Sequence, residues 1–244
     1  MVAYDRAGPG ASDPAPGGDI LDRQIADLAA VIAAAAGGQC VLAGHSWGGV
    51  LAQLLAFRHP RLVAGLVLVD PAHEDMAGAL PRPARWLTRI AGPRVRSVLL
   101  RHRMLAPIRH LRAPRTAARV SADPRTRALV AAAYRSVPPR PDELAGLAAS
   151  HPLIRQLRAA PSPFPDIPVT VLSATRGFPP QLRTHRSALQ AGLVAAAPRG
   201  RHIAAAGSGH AIHHERPGLV ADAIIHVIGE TRQARGTERP FLDR

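Results

Sequence analysis

The tightest constraint in this chain is Val41-Leu42-Ala43-Gly44-His45-Ser46-Trp47-Gly48-Gly49, running straight into Val50-Leu51-Ala52-Gln53-Leu54-Leu55-Ala56. It predicts a short apolar strand, a sharp turn and a helix. The turn carries G-x-S-x-G as Gly44, His45, Ser46, Trp47 and Gly48. A serine at such a corner sits on a strained backbone with its hydroxyl exposed. Gly44 and Gly48, with Gly49, provide the small residues that let strand and helix pass closely. The free N–H groups and dipole of the helix start favour negative charge beside Ser46.

The surrounding chain alternates strand and helix. Apolar residues from Ile20 to Ile32 recur at helical spacing, with Asp19 as N-cap and Gly37-Gly38 as the stop. Gly65–Val69 is a continuous apolar run, as in a parallel strand covered on both faces, and it ends at Asp70-Pro71. Ile167–Leu172 predicts another strand, Gln181–Gly192 a helix, Arg201–Ala206 a weaker strand and Pro217–Ile228 a last helix. From Glu230 the polar tail is expected to fray. Met1–Tyr4 reads as the end of a strand entering a Gly/Pro loop. Between His73 and Pro163 the strand-like runs vanish and proline and arginine become dense. Short amphipathic stretches such as Trp86–Ile90 predict a helical lid broken by prolines, Tyr134 included. The expected organisation is one discontinuous core (1–72 and 164–235), a lid (73–163) and a frayed end (236–244).

A serine hydroxyl needs a base within reach and a third group to orient that base. Of the 12 histidines, His210 lies in the loop Gly207-Ser208-Gly209-His210, after the last predicted strand and before the last helix. That location brings it to the carboxyl edge of a parallel sheet. Asp70 ends the strand that follows the serine helix, and the chain order Ser, Asp, His is kept. Asp70 would fix the imidazole tautomer without taking the proton; Glu74, Asp75 and Asp166 are reserves. His213 and His214 suit solvated or structural roles. A zinc-like spacing is absent, His213-His214-Glu215 is too compact for one, and no phosphate loop follows a strand. No metal or cofactor is implied.

In the serine corner and the Gly207–His213 loop, the sequence resembles the α/β-hydrolase superfamily. The resemblance implies an α/β fold with a doubly wound, mostly parallel sheet and an inserted helical lid. It also implies a triad of Ser46, His210 and an acid, with the Trp47 N–H as one half of an oxyanion hole. Many members place the acid just after the strand that here is Val169–Leu172, where Ser173–Phe178 carries no carboxylate, and others at the end of the preceding strand, where this chain has Asp70. Members with a serine at this corner include esterases, acyltransferases, C–C hydrolases, cofactor-free peroxidases and iminopeptidases; epoxide hydrolases and haloalkane dehalogenases place an aspartate there. Asp5-Arg6 and Gly8-Pro9-Gly10 resemble the segment after the family's fourth strand, so the first strands and the loop giving the second oxyanion donor have no counterpart. That departure leads us to expect an internal start, a truncation, or Met1–Tyr4 shifted to pair beside the Cys40 strand.

The net charge of +14 raises nucleic acid as a partner. The chain has no lysine and no asparagine but abundant Ala, Arg, Pro and Gly, the footprint of GC-rich coding in which basic charge is written as arginine. Aromatics are 3%, too few to supply stacking platforms, so nucleic acid is not the expected partner. Cys40 is the sole cysteine, which excludes an internal disulfide, and a buried position is expected for it. No signal segment and no apolar run near the roughly 20 residues of a membrane span is found, so a cytoplasmic protein without membrane contact is expected. The expected function is serine-dependent hydrolysis of a small ester, or amide, with lid arginines favouring an acidic group. The alternatives are an inactive or partner-dependent remnant of such an enzyme and, more remotely, an arginine-rich nucleic-acid binder.

Overall fold

The structure, a computed structural model, describes residues 1–7, 12–13, 20–79, 113–115, 117–118, 124–125, 127–128, 131–132, 151–159, 164–177 and 179–237. The chain divides into two compact units, Met1–Asp27 with Leu80–Leu153, and Leu28–Ala79 with Ile154–Arg244. Asp19, Gly8–Gly10, Trp86–Ile90, Tyr134 and most of the expected lid lie outside the described residues.

In the first unit, Arg6 donates to Gln24 Oε1 at 3.2 Å, and Ala113, Ala117 and Ala131 form a small apolar cluster. Met1–Tyr4, read above as the end of a strand, is not one. It takes part in no described ladder, and Met1 and Val2 are exposed. Four residues become a strand only when a neighbouring backbone accepts from their N–H groups and donates to their C=O groups. Helix α1 (Ile20–Ala36) continues from this unit into the second and buries Leu21, Ile25 and Ile32. It ends at Gly37, whose φ of 60° is the left-handed stop that glycine adopts freely.

The second unit carries a four-stranded parallel sheet in the order β1 (Cys40–His45), β2 (Val63–Val69), β3 (Pro168–Ala174), β4 (Arg199–Ala205). Helix α2 (Trp47–Arg58) joins β1 to β2. Helix α3 (His151–Arg158), whose last five residues belong to this unit, precedes β3; α4 (Pro180–Ala195) joins β3 to β4. The short α5 (Ile212–Glu215) and long α6 (Pro217–Thr237) follow β4.

Side chains of a strand alternate between faces, and three close approaches show which helix covers which. A Cβ on Gly65 would lie 2.5 Å from Val227 Cγ1, so α6 covers the face of Gly65, Val67 and Val69. Its Leu219, Val220, Ala223, Ile224 and Val227 pack there with Leu172, Ala174 and Ala205. A Cβ on Gly44 would lie 2.4 Å from Gly48 O, and one on Gly200 would lie 2.2 Å from Val194 O. In register these belong with Leu66, Leu68 and Val169, so α2 and α4 cover the opposite face. Helices on both faces make the sheet doubly wound, and β2, covered on both, is buried along nearly its whole length.

Two further expectations are corrected. Cys40 is half-buried rather than buried, because β1 has a ladder only with β2 among the described residues; what burial it has pushes its thiol pKa up. The chain beyond Glu230 is helical to Thr237. Glu230 lies within 3.7 Å of His226 and 3.8 Å of Arg199, and Thr231 donates to Ile228 O at 2.7 Å, contacts that hold this turn. No described helix is long and apolar enough to cross a membrane.

Candidate active site

All four strands point the same way, so the segments leaving their carboxyl ends share one edge. His45 pairs with Val69 and Val69 with Leu172. The ladder continues one residue further, with Ser46 N–H donating to Val69 O at 3.1 Å and Asp70 N–H to Leu172 O at 2.7 Å. Ser46 and Asp70 are thereby fixed side by side. They are also the only described non-glycine residues with positive φ, 54° and 46°. Such backbone costs roughly 1–3 kcal/mol for each residue and persists where the surroundings enforce it. Here Gly44 and Gly49 permit it: a Cβ on Gly49 would lie 3.0 Å from Pro71 Cβ and 3.1 Å from Gly44 O, whereas one on Gly48 would meet open space. The close passage therefore needs Gly44 and Gly49 and not Gly48, which corrects the expectation for that glycine.

His210 reaches the same edge from the loop after β4. Ser208 O accepts the N–H groups of Thr175 and Arg176 at 3.0 Å. Thr175 Oγ1 donates to Ala205 O and accepts from Gly207 N–H. Glu215 Oε2 accepts Gly209 N–H and Arg176 Nη2, both at 3.0 Å. So clamped, the imidazole lies with Nδ1 2.7 Å from Asp70 Oδ2 and Nε2 3.1 Å from Ser46 Oγ. A carboxylate only accepts, so Nδ1 carries the proton and Nε2 has its lone pair toward the hydroxyl. Asp70 is fully buried, while the His210 side chain is 42% exposed. Trp47 is the first residue of α2, directly after Ser46.

Residues the sequence reasoning missed complete the surroundings of Asp70. Helix α4 buries Arg186, Gln190 and Leu193, one stripe at helical spacing in which two of three positions are polar. Gln190 Nε2 and Ala174 N–H donate to Asp70 Oδ1, both at 3.1 Å. Arg186 Nη2 donates to Asp70 O at 2.9 Å and lies 2.5 Å from Oδ2. Burial by itself would raise the Asp70 pKa; the hydrogen bond from His210, the Arg186 guanidinium, Gln190 and Ala174 outweigh it and hold the carboxyl below the usual range.

His45 flanks His210 on the other side, its ring 4.5 Å away, and its Nε2–H donates to His210 O at 2.8 Å. His213 stacks 4.3 Å from His45 and 3.9 Å from His214. Burial lowers the pKa of His45 and brings that of His213 down to about 4. His213 and His214 are thus partly buried in a cluster of imidazole rings.

The reserve carboxylates lie elsewhere. Asp166 precedes β3, at the opposite edge of the sheet. Glu74 pairs with Arg158 at 3.0 Å and Asp75 with Arg155 at 2.8 Å. Ligand atoms of His73, Glu74 and Asp75 lie within 4.8 Å of one another, beside a cavity of about 380 Å³. His73 Nδ1 accepts Asp75 N–H at 3.1 Å, and two arginines compensate the carboxylates. The set therefore fits an ion-pair network better than a cation site.

A model of the alpha/beta hydrolase family matches residues 1–223. Among curated proteins, Epoxide hydrolase 4 of Mus musculus is 37% identical over 78 residues, covering 31% of this chain and 22% of that protein. The matched stretch is thus only about a fifth of that relative. Among solved structures, the epoxide hydrolase CorEH aligns with a TM-score of 0.64 at 15% identity, over 93% of this chain and 80% of that one. The esterase RhEst1 from Rhodococcus sp. ECU1013 aligns with a TM-score of 0.55 at 22% identity, over 91% and 78%. With the match to the family model covering most of the sequence and the same parallel sheet beneath it, the chain belongs to the alpha/beta hydrolase family.

Proposed function

We propose that this chain is a serine-dependent hydrolase of small esters, or amides, working through an acyl-enzyme. The observation that carries the reading is the chain of contacts Asp70 Oδ2–His210–Ser46 Oγ, at 2.7 and 3.1 Å, with the serine on left-handed backbone. Ser46 Oγ attacks the acyl carbon while its proton moves to His210 Nε2. Asp70 holds Nδ1–H and stabilises the imidazolium without becoming protonated. Negative charge developing on the carbonyl oxygen is received at the start of α2, where the Trp47 N–H is the proposed donor. Collapse expels the alcohol or amine, which takes the proton from Nε2. Water then attacks the acyl-enzyme, giving its proton to Nε2; as the acyl–oxygen bond breaks, Nε2 returns that proton to Ser46 Oγ and the acid is released.

The partial similarity to an epoxide hydrolase does not favour epoxide opening. This chain offers a hydroxyl at the elbow, and a hydroxyl supports acyl transfer. The test compares purified protein with Ser46→Ala on short-chain nitrophenyl esters. The expected result is turnover by the wild type and only background rate from the variant. Equal rates would leave the reading of an inactive or partner-dependent chain.

A further inference from the structure

Resting on that reading, we infer that Arg186 is a positioning residue for the His210–Asp70 pair, a buried guanidinium that counterbalances the carboxylate and keeps the imidazole a free base at lower pH. Arg186 is 5% exposed. Its Nη2 contacts Asp70 Oδ2, the oxygen that also accepts His210 Nδ1–H, and approaches Nδ1 itself to 3.2 Å. Both nitrogens are donors, so the second approach is no hydrogen bond; it is a fixed positive charge beside the ring that must become positive in the reaction. An uncompensated carboxylate would favour imidazolium already in the resting enzyme, leaving His210 protonated and unable to accept from Ser46. The guanidinium offsets that pull, while its bond to Asp70 O holds the carboxylate in line.

Among the described residues, the other titratable groups beside the pair come from β1 and α5. Burial lowers the pKa of His45 and brings that of His213 down to about 4. His214 beyond them is lowered likewise, burial being the larger influence, and Glu215 is paired with Arg176 at 3.0 Å. Among the described residues, Arg186 is the guanidinium in contact with the pair, and Asp70 the carboxylate.

The experiment is the pH profile of kcat/KM for a neutral nitrophenyl ester with wild type, Arg186→Gln and Arg186→Lys. In Arg186→Gln the acid limb is expected to move to higher pH by about one unit. Activity should then fall roughly tenfold on the acid side and less than threefold on the alkaline plateau, with KM unchanged. Arg186→Lys, which keeps the charge, should hold the wild-type limb. A purely structural role would lower kcat equally at all pH values and leave the limb in place in both variants, and that result would overturn the inference. Should Arg186→Gln not fold, Arg186→Met takes its place as the charge-removing variant: an acid limb displaced upward by about one unit supports the role of charge, and a limb at the wild-type position refutes it. Loss of Ser46-dependent turnover in the wild type would instead mark failure of the underlying reading.

Discussion

His210→Ala is expected to lower kcat/KM for ester hydrolysis by about 10⁶-fold, close to the loss expected for Ser46→Ala, because nucleophile and base act as one unit. Among the described residues, the nearest candidate substitute is His45. His45 is near enough, but its Nε2–H is spent on the His210 carbonyl, which the alanine variant retains. His213 lies against the far side of this cluster, 4.3 Å from His45 and 3.9 Å from His214. Steady-state rates on a nitrophenyl ester provide the check. A variant retaining more than about a hundredth of wild-type activity would mean that another group takes the serine proton.

Asp70→Asn should cost about 10⁴-fold in kcat, with KM little changed, since an amide can hold the ring in the wrong tautomer. Here it should also cost stability, unlike at a site whose aspartate merely orients a histidine. Asp70 is fully buried against Arg186, and removing one partner of a buried pair typically costs about 3–5 kcal/mol. Urea unfolding near neutral pH would show it. The sign of the pH dependence follows from the depressed carboxyl pKa. Its stabilisation is fully present above the unfolded value near 3.9 and is lost as pH falls through the lower folded value. The gap between wild type and Asp70→Asn should therefore close on acidification below about pH 4. A gap that stays constant into strong acid would contradict the ion pair as its source.

What could be read in the sequence divides by physical cause. Strand–turn–helix signals are local, so the Cys40 strand, the Ser46 corner and α2 follow from apolar runs and glycine spacing. The unalternating run before Asp70 marks a strand covered on both faces. In a parallel sheet that alone brings Asp70 to the edge where Ser46 and the Gly207–His210 loop emerge. Arg186 and Gln190 were not legible, because hydrophobic periodicity looks for apolar stripes and the buried stripe of α4 is two-thirds polar. A stripe containing Arg, Gln and Leu at positions i, i+4 and i+7 beside a lone strand-end aspartate is the signal that could have found them. The motif makes Gly48 look like a steric necessity, yet the contact falls on Gly49. The end of α6 looks polar along the chain, but Glu230 at its start is approached by Arg199 of β4 and by His226 one turn earlier.

The central claim, that Ser46 is an activated nucleophile, is tested most directly by covalent trapping. The tryptic peptide from Gln24 to Arg58 contains Ser46 as its only serine. Treatment with a small alkyl fluorophosphonate, which loses fluoride as the serine oxygen bonds to phosphorus, followed by digestion and mass spectrometry, should place one adduct on Ser46. The adduct should be absent in Ser46→Ala and strongly slowed in His210→Ala. Ester hydrolysis that persists in protein carrying no adduct at Ser46, or an adduct at a different residue that abolishes activity, would contradict the account.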